Sequence, residues 1–288
     1  MCVCVCLGVF GLVGGLNLSA TKVQEALSVL FFFLLVAFVF RVAKQRTHEK
    51  SAFLAALLLG VAPVVAAARD GGDSVWLALL SLWAAVSISQ DLKSNRDSDQ
   101  SAVALFLLVW SGWFGLLASL GLAALSFRLG RWRNLVIVSL GFGLLTAIRW
   151  LLFQTILPPL LVGPEQGWEA FGWMPGIGLL SLIGLFFSWR NGRTFWPYLV
   201  VLGSGWVCVL LGGQAVHGFG VALVPAVGVM VVLIADAIEQ SQFKIRWLAL
   251  GLVLMGHDLT KGEFALSDVR QARLSEYYQG RGMGRFLL

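Results

Sequence analysis

Long apolar stretches alternate with short polar loops along this chain and predict membrane helices. The apolar runs cover residues 25–42, 52–68, 75–90, 101–128, 134–157, 174–189, 195–213, 217–236 and 246–257. Several are shorter than the roughly 20 residues that cross a bilayer upright, so we expect them to extend into their flanks. The pattern predicts an all-α fold, a polytopic transmembrane helical bundle.

Positive charge is distributed unevenly between the loops. Most of the 21 Lys and Arg residues lie in five of them. These loops hold Arg41, Lys44, Arg46 and Lys50; Lys93 and Arg96; Arg128, Arg131 and Arg133; Arg190 and Arg193; and Lys244 and Arg246. The intervening loops carry Arg69 and little other positive charge. Because cytoplasmic loops are enriched in Lys and Arg, this alternation predicts which face is cytoplasmic.

The run 101–128 has two interpretations. The basic loops on both sides of it are predicted to be cytoplasmic, so it must cross the membrane an even number of times or turn back. The sequence Trp110-Ser111-Gly112 offers a break, which predicts a hairpin of two short helices. One long tilted helix is the alternative. With the hairpin, we expect about 10 membrane helices after the N-terminal segment.

Composition supports the membrane assignment. The chain is 58% hydrophobic and 12% charged, whereas soluble domains carry about 25% charged residues. The net charge of +6 lies in the loops, where it meets anionic lipid headgroups, so no nucleic-acid partner is expected. Several of the twelve Trp residues lie at predicted helix ends and suit interfacial anchoring. These are Trp76, Trp132, Trp168, Trp173, Trp189, Trp196 and Trp247.

Two domains are expected: a transmembrane helical domain, 1–256, and a polar C-terminal tail, 257–288, with a short helix. The apolar N-terminal stretch has no basic n-region and no clear cleavage site, so it resembles a signal peptide only loosely. The cysteines lack the spacing of a zinc site, and no phosphate-binding or nucleophile-elbow motif is present. We therefore expect no cofactor; a divalent metal is conceivable without a motif for it.

Ionisable groups near the predicted outer face are the candidates for chemistry. Arg149 lies towards the outer end of its run; it either clamps a substrate phosphate or snorkels to the interface. Arg69, Asp70 and Asp73 share one short outer loop, which is a solvated turn or places a carboxylate beside a substrate.

Other ionisable residues make weaker cases. His217 and His257 are predicted on the outer side, where proton transfer or metal contact is conceivable and a structural role is the default. Asp236 and Glu239 end a run on the cytoplasmic side near Lys244 and Arg246, so ion pairing at a helix end suffices to explain them.

Four segments together carry a family resemblance, at residues 8–46, 51–82, 167–193 and 212–239. The first has an apolar stretch, a turn and a helix ending in basic residues, and the second is a hairpin around Arg69 and Asp73. The fourth contains His217 and Pro225. In this order they resemble the GT-C type polyprenyl-phosphate-sugar glycosyltransferases, which include the aminoarabinose transferases of lipid A and the protein O-mannosyltransferases. The similarity spans about residues 8–260 and is mostly hydrophobic pattern.

The resemblance implies a GT-C-like bundle in the cytoplasmic (inner) membrane. Its partners would be membrane lipid and a polyprenyl-phosphate sugar, used at the outer face. It implies Asp73 or Asp70 as catalytic carboxylate, and Arg69 or Arg149 as the cation for the lipid phosphate. His217 matches the family pattern for substrate binding, and Gln214 stands where the family often has Lys.

The sequence also departs from the family. The catalytic carboxylate loop after an initial helix and the Lys-Pro-Pro-Leu motif are not found. Two hypotheses therefore stay open: a transferase, active, truncated or inactive, and a non-catalytic membrane subunit that packs against a partner protein. Charge-lined broken helices typical of transporters are not evident, which makes a channel or transporter the third choice.

Overall fold

A computed structural model describes residues 20–60, 73–96, 98–153, 175–212 and 224–240. Within these ranges the chain is helical, without strands. The helices are α1 (Ala20–Arg46), α2 (Glu49–Gly60), α3 (Asp73–Ser94), α4 (Asp99–Val109), α5 (Gly112–Arg128), α6 (Trp132–Phe153), α7 (Pro175–Arg190), α8 (Trp196–Gly212) and α9 (Val227–Gln240), with a 3₁₀ turn at Val224–Ala226 before α9. The prediction of an all-α fold is confirmed for this part of the chain.

The predicted break in the run 101–128 is present. Helix α4 ends at Val109 and α5 begins at Gly112, whose φ of 88° favours glycine. The two helices pack together, and both pack against α6. Arg133 in the first turn of α6 forms an ion pair with Asp99, the first residue of α4. The start of α4 and the end of α5 therefore lie at the same end of the bundle, as a hairpin requires.

Glycine ends two of the helices in the same way. Gly130 follows α5 with φ 80°, and Gly192 follows α7 with φ 62°. In each turn the next residue, Arg131 or Arg193, returns its N–H to a carbonyl of the helix, that of Ser126 and of Ser188, both at 3.0–3.1 Å. This left-handed C-terminal turn satisfies carbonyls that the helix leaves open. It also directs an arginine back along the bundle.

Four helices run in parallel through the core. The aromatic rings of Phe31 in α1 and Trp76 in the first turn of α3 lie 4.6 Å apart. Gly228 on α9 lies against Leu35 and Leu82, midway along α1 and α3. Helix α7 runs beside α9 in the same direction, because its Gly184 packs directly on the Leu233 carbonyl and Ser188, one turn later, donates to Asp236. Helices α1, α3, α7 and α9 therefore share one direction.

As a result, described residues of four basic loops gather at one end of the bundle, called here the basic end. Arg46 and Arg193 both bind Asp236 near the end of α9. Arg131 donates to Asn95 Oδ1 over 3.1 Å, which joins two further loops. A cavity lined by Arg41, Gln90 and Gln100 places these loops beside the end of α1. Lys244 and Arg246, in the fifth loop, lie outside the described residues.

Among the described residues, three helices are long and apolar enough to cross a membrane: Ala26–Arg46, Val75–Ser94 and Trp132–Leu151. Shorter apolar helices cover Asp99–Val109, Gly112–Arg128 and Trp196–Cys208. The number of about 10 membrane helices stays a prediction, as does the division at residue 256, because the tail lies outside the described ranges. Trp132, Trp189 and Trp196 are exposed beside helix ends at the basic end, where interfacial anchors are found.

Candidate functional site

The most elaborate polar cluster in the described residues surrounds Asp236 on α9. Its side chain is fully buried. Oδ2 accepts from Arg46, with Nη2 at 2.6 Å and Nε at 3.1 Å. Oδ1 accepts from Arg193 Nη1, and the Ser188 hydroxyl donates to Oδ2. Residues from α1, α7 and the loop after α7 thus converge on one carboxylate, which joins three segments of the chain.

Arg46 is held on several sides. Its side chain is 7% exposed. Besides Asp236, the guanidinium donates to Ser188 Oγ at 2.9 Å and to the Thr194 carbonyl at 3.4 Å. Its central carbon lies 4.7 Å from the centroid of the Tyr198 ring, a cation–π contact. A guanidinium suits this position because its planar fork of donors can serve several acceptors at once.

A second carboxylate one turn later extends the cluster. Glu239 accepts from the Ser51 hydroxyl at 2.5 Å and from the backbone N–H of His48 at 3.4 Å. His48 Nε2 also lies 3.5 Å from Glu239 Oε1. These contacts place a negative charge at the N-terminus of α2, where the helix dipole favours it. Glu239 therefore ties the start of α2 to the end of α9.

The arrangement is suited to holding helices together. Both Asp236 oxygens are occupied by donors from arginine and serine, so neither is directed towards an open space that a substrate could enter. Arg46 and Arg193 supply two positive charges beside this one buried carboxylate. A buried charge is tolerated only when it is paired and hydrogen-bonded, and this carboxylate is both. Its geometry is that of a structural clasp.

The sequence predicts ion pairing for Asp236, and this is confirmed. The side chain is fully buried, and its partners are Arg46 on α1 and Arg193 in the α7–α8 loop. Lys244 and Arg246, which the sequence also places near this helix end, lie outside the described residues. In the sequence, this site is indicated by the acidic residue inside an apolar run. Asp236 precedes Glu239 by three positions, which places both on the same face of the helix.

The candidate residues at the predicted outer face are only partly described. Asp73 is the first residue of α3, at the end opposite the basic end. Arg149 lies in the last turns of α6 and is half-buried. Arg69, Asp70, Gln214, His217 and His257 lie outside the described residues. Asp73 and Arg149 therefore share one end of the bundle, and whether they meet stays a prediction.

In the described ranges, no group of three or more His, Cys, Asp or Glu side chains is placed to hold a metal ion. Comparisons with protein-family models, with curated proteins and with solved structures find no match to this chain. In the part of the chain that the structure describes, the findings thus define a helical fold with three helices long and apolar enough to cross a membrane and a clasp of buried charges at one end.

Proposed function

We propose that this chain is a multi-pass protein of the cytoplasmic membrane that handles a polyprenyl-phosphate-linked sugar at its outer face, as a GT-C-type glycosyltransferase does. The carrying observation is the position of Arg149. It lies about 24 Å along α6 from Arg133, at 1.5 Å per residue, and therefore far from the basic end. A charged residue deep along an apolar helix is costly and is most often functional.

Asp73 supplies the second part of the proposal. It opens α3 at the end of the bundle where Arg149 lies. In this hypothesis, the Asp73 carboxylate accepts the proton of the acceptor hydroxyl, while Arg149 holds the phosphate of the lipid donor. The sugar moves from phosphate oxygen to acceptor oxygen, and the lipid phosphate leaves. The clasp around Asp236 keeps the helices in register without taking part in the transfer.

A test of transfer uses the purified chain in liposomes with a radiolabelled polyprenyl-phosphate sugar and a membrane extract as acceptor. We expect transfer by the natural chain and at least a roughly hundredfold loss in Asp73→Asn, as is typical when a general base is removed. Asp99→Asn, an exposed carboxylate at the basic end, is the matched control and should keep full activity. Equal transfer by Asp73→Asn and the natural chain would remove Asp73 from the mechanism.

The second candidate, a non-catalytic subunit, is favoured by the surface of α6. Only 17% of the apolar stretch of α6 is buried within the chain, whereas 67% of the apolar stretch of α3 is buried. Leu140, Leu144, Trp150 and Leu151 are exposed along it. A partner helix could cover this face as well as lipid can. Purification in mild detergent separates the candidates: a stable stoichiometric partner, together with no transfer by the isolated chain, supports the subunit.

A further inference from the structure

A cavity with a polar lining lies at the basic end of the bundle. It has a volume of about 430 Å³ and lies between the last turns of α1 and α3 and the first turn of α4. Pockets that bind small molecules have volumes of about 300–1,000 Å³. The cavity is separate from the Asp236 clasp and from the candidate residues at the opposite end, so the proposed function makes no use of it.

Hydrogen-bond donors dominate the polar part of the lining. These groups are Arg41, Gln45, Trp83, Ser87, Gln90 and Gln100, and no carboxylate lines the cavity. Arg41 forms no ion pair with any described residue, unlike Arg46 five positions later. Its charge is therefore available to an anion that enters the cavity. Arginine binds phosphate well because its planar fork offers parallel donors to two oxygens.

Ser87 provides an independent sign of a ligand. Its side chain is buried, at 2% exposure, and it lines the cavity. Its hydroxyl has no hydrogen bond to a described residue. Because Ser87 lines the cavity, this hydroxyl is open to a partner that enters there. A ligand oxygen in the cavity would satisfy this hydroxyl.

The surface of α1 indicates how the ligand reaches the cavity. Leu30, Phe33 and Leu34 are exposed on α1, and Leu30 and Leu34 precede Arg41 by eleven and seven positions. These spacings place them on the helix face that carries Arg41. An apolar stripe thus leads along the helix to a cationic cavity, and this arrangement matches an acyl chain joined to a phosphate headgroup.

We propose that this cavity binds the phosphate of an anionic membrane lipid. The phosphate lies against Arg41 and Ser87, the glutamine amides contact the rest of the headgroup, and an acyl chain follows the stripe on α1. Specific binding in this cavity differs from the general attraction of basic loops to anionic membranes, which acts on every exposed Lys and Arg at the surface.

The test titrates the delipidated full chain in a neutral detergent with phosphatidylglycerol, and native mass spectrometry counts the bound lipid. We expect Arg41→Gln to weaken binding roughly tenfold or more, as the loss of a charge-assisted hydrogen bond implies. Arg128→Gln is the matched control, because Arg128 is an exposed arginine at the same end and does not line the cavity; its affinity should stay within about twofold.

A further variant and a soluble ligand identify what binds and control for misfolding of Arg41→Gln. Gln90→Glu places a carboxylate on the cavity wall and should also weaken binding roughly tenfold or more, whether or not Arg41→Gln folds. Glycerol phosphate in solution should bind far more weakly than the lipid. Equal affinity for both would assign the site to a soluble phosphate compound and overturn the lipid. Equal losses in Arg41→Gln and Arg128→Gln, or no loss in either, would overturn the site itself.

Discussion

Asp236→Asn is expected to destabilise the protein more than any other change of a single charge in the described helices. The substitution keeps the shape of the side chain but leaves Arg46 and Arg193 without their shared counter-charge. Breaking a buried ion pair by removing one partner costs about 3–5 kcal/mol. We expect a lower midpoint of thermal unfolding in detergent and a reduced yield of monodisperse protein, measured by fluorescence and by size-exclusion chromatography.

A matched control distinguishes the loss of a buried ion pair from the loss of an exposed one. Asp99 also pairs with an arginine, Arg133, at the same end of the bundle, but its side chain is 89% exposed. Exposed pairs contribute little to stability because water screens them. Asp99→Asn should therefore leave the midpoint nearly unchanged. If the two variants unfold at the same temperature as the natural chain, the buried clasp does not hold the helices.

Gly184→Ala is expected to have the second-largest effect, through packing alone. A Cβ at this position would meet the backbone carbonyl of Leu233 on α9, which cannot rotate aside as a side chain can. Helices approach this closely only where a small residue lies at the contact. Forcing them apart costs about 1–3 kcal/mol. The variant should unfold at a lower temperature, measured in the same way as for Asp236→Asn.

Gly143→Ala is the control for this effect and should act in the opposite direction. Gly143 lies within α6, and nothing comes within 4 Å of an added Cβ. There the substitution gains only helix propensity, which favours alanine by about 1 kcal/mol. Its midpoint should stay equal or rise. A fall of the same size in both variants would show that Gly184 is not a site of close helix contact.

Sequence reasoning reaches the helices and their direction because both depend on local pattern. The apolar runs mark where helices lie, and the Trp110-Ser111-Gly112 stretch marks the turn between α4 and α5. Helix ends are less predictable: α1 begins at Ala20, five residues before the apolar run, because Lys22 and Gln24 are polar but good helix formers. The basic residues of separate loops meet at one end, as their alternation implies.

Pairing between distant residues was beyond the sequence. Arg46 and Asp236 are separated by 190 positions, and nothing in the local pattern of either segment specifies the other. Arg46 looked like one more residue of a cytoplasmic loop, and Asp236 like a helix-end charge. Burial of both follows from how α1, α7 and α9 pack. The same holds for Gly184, since only the approach of α9 distinguishes it from glycines such as Gly143.

For the candidate residues at the predicted outer face, sequence reasoning is limited in a different way. Arg149 is a candidate because it interrupts an apolar run. It lies in the last turns of α6, a helix that is mostly exposed. Asp73 is a candidate because of its place in a short ionisable loop and because of the family resemblance, and it is the first residue of α3. Catalysis depends on whether such groups converge on one substrate, which is a three-dimensional relation. Their roles therefore stay predictions that the transfer assay must decide.

The most direct test of the central claim, that the basic end faces the cytoplasm, is labelling of single cysteines in intact cells. The native cysteines are replaced, and one cysteine is introduced at a time, as Ser94→Cys at the basic end or Gly72→Cys in the predicted outer loop. A membrane-impermeant maleimide should label the Gly72→Cys protein from outside, and the Ser94→Cys protein only after the membrane is permeabilised. Labelling of Ser94→Cys in intact cells, with Gly72→Cys protected, would contradict the proposed orientation and the outer-face site with it.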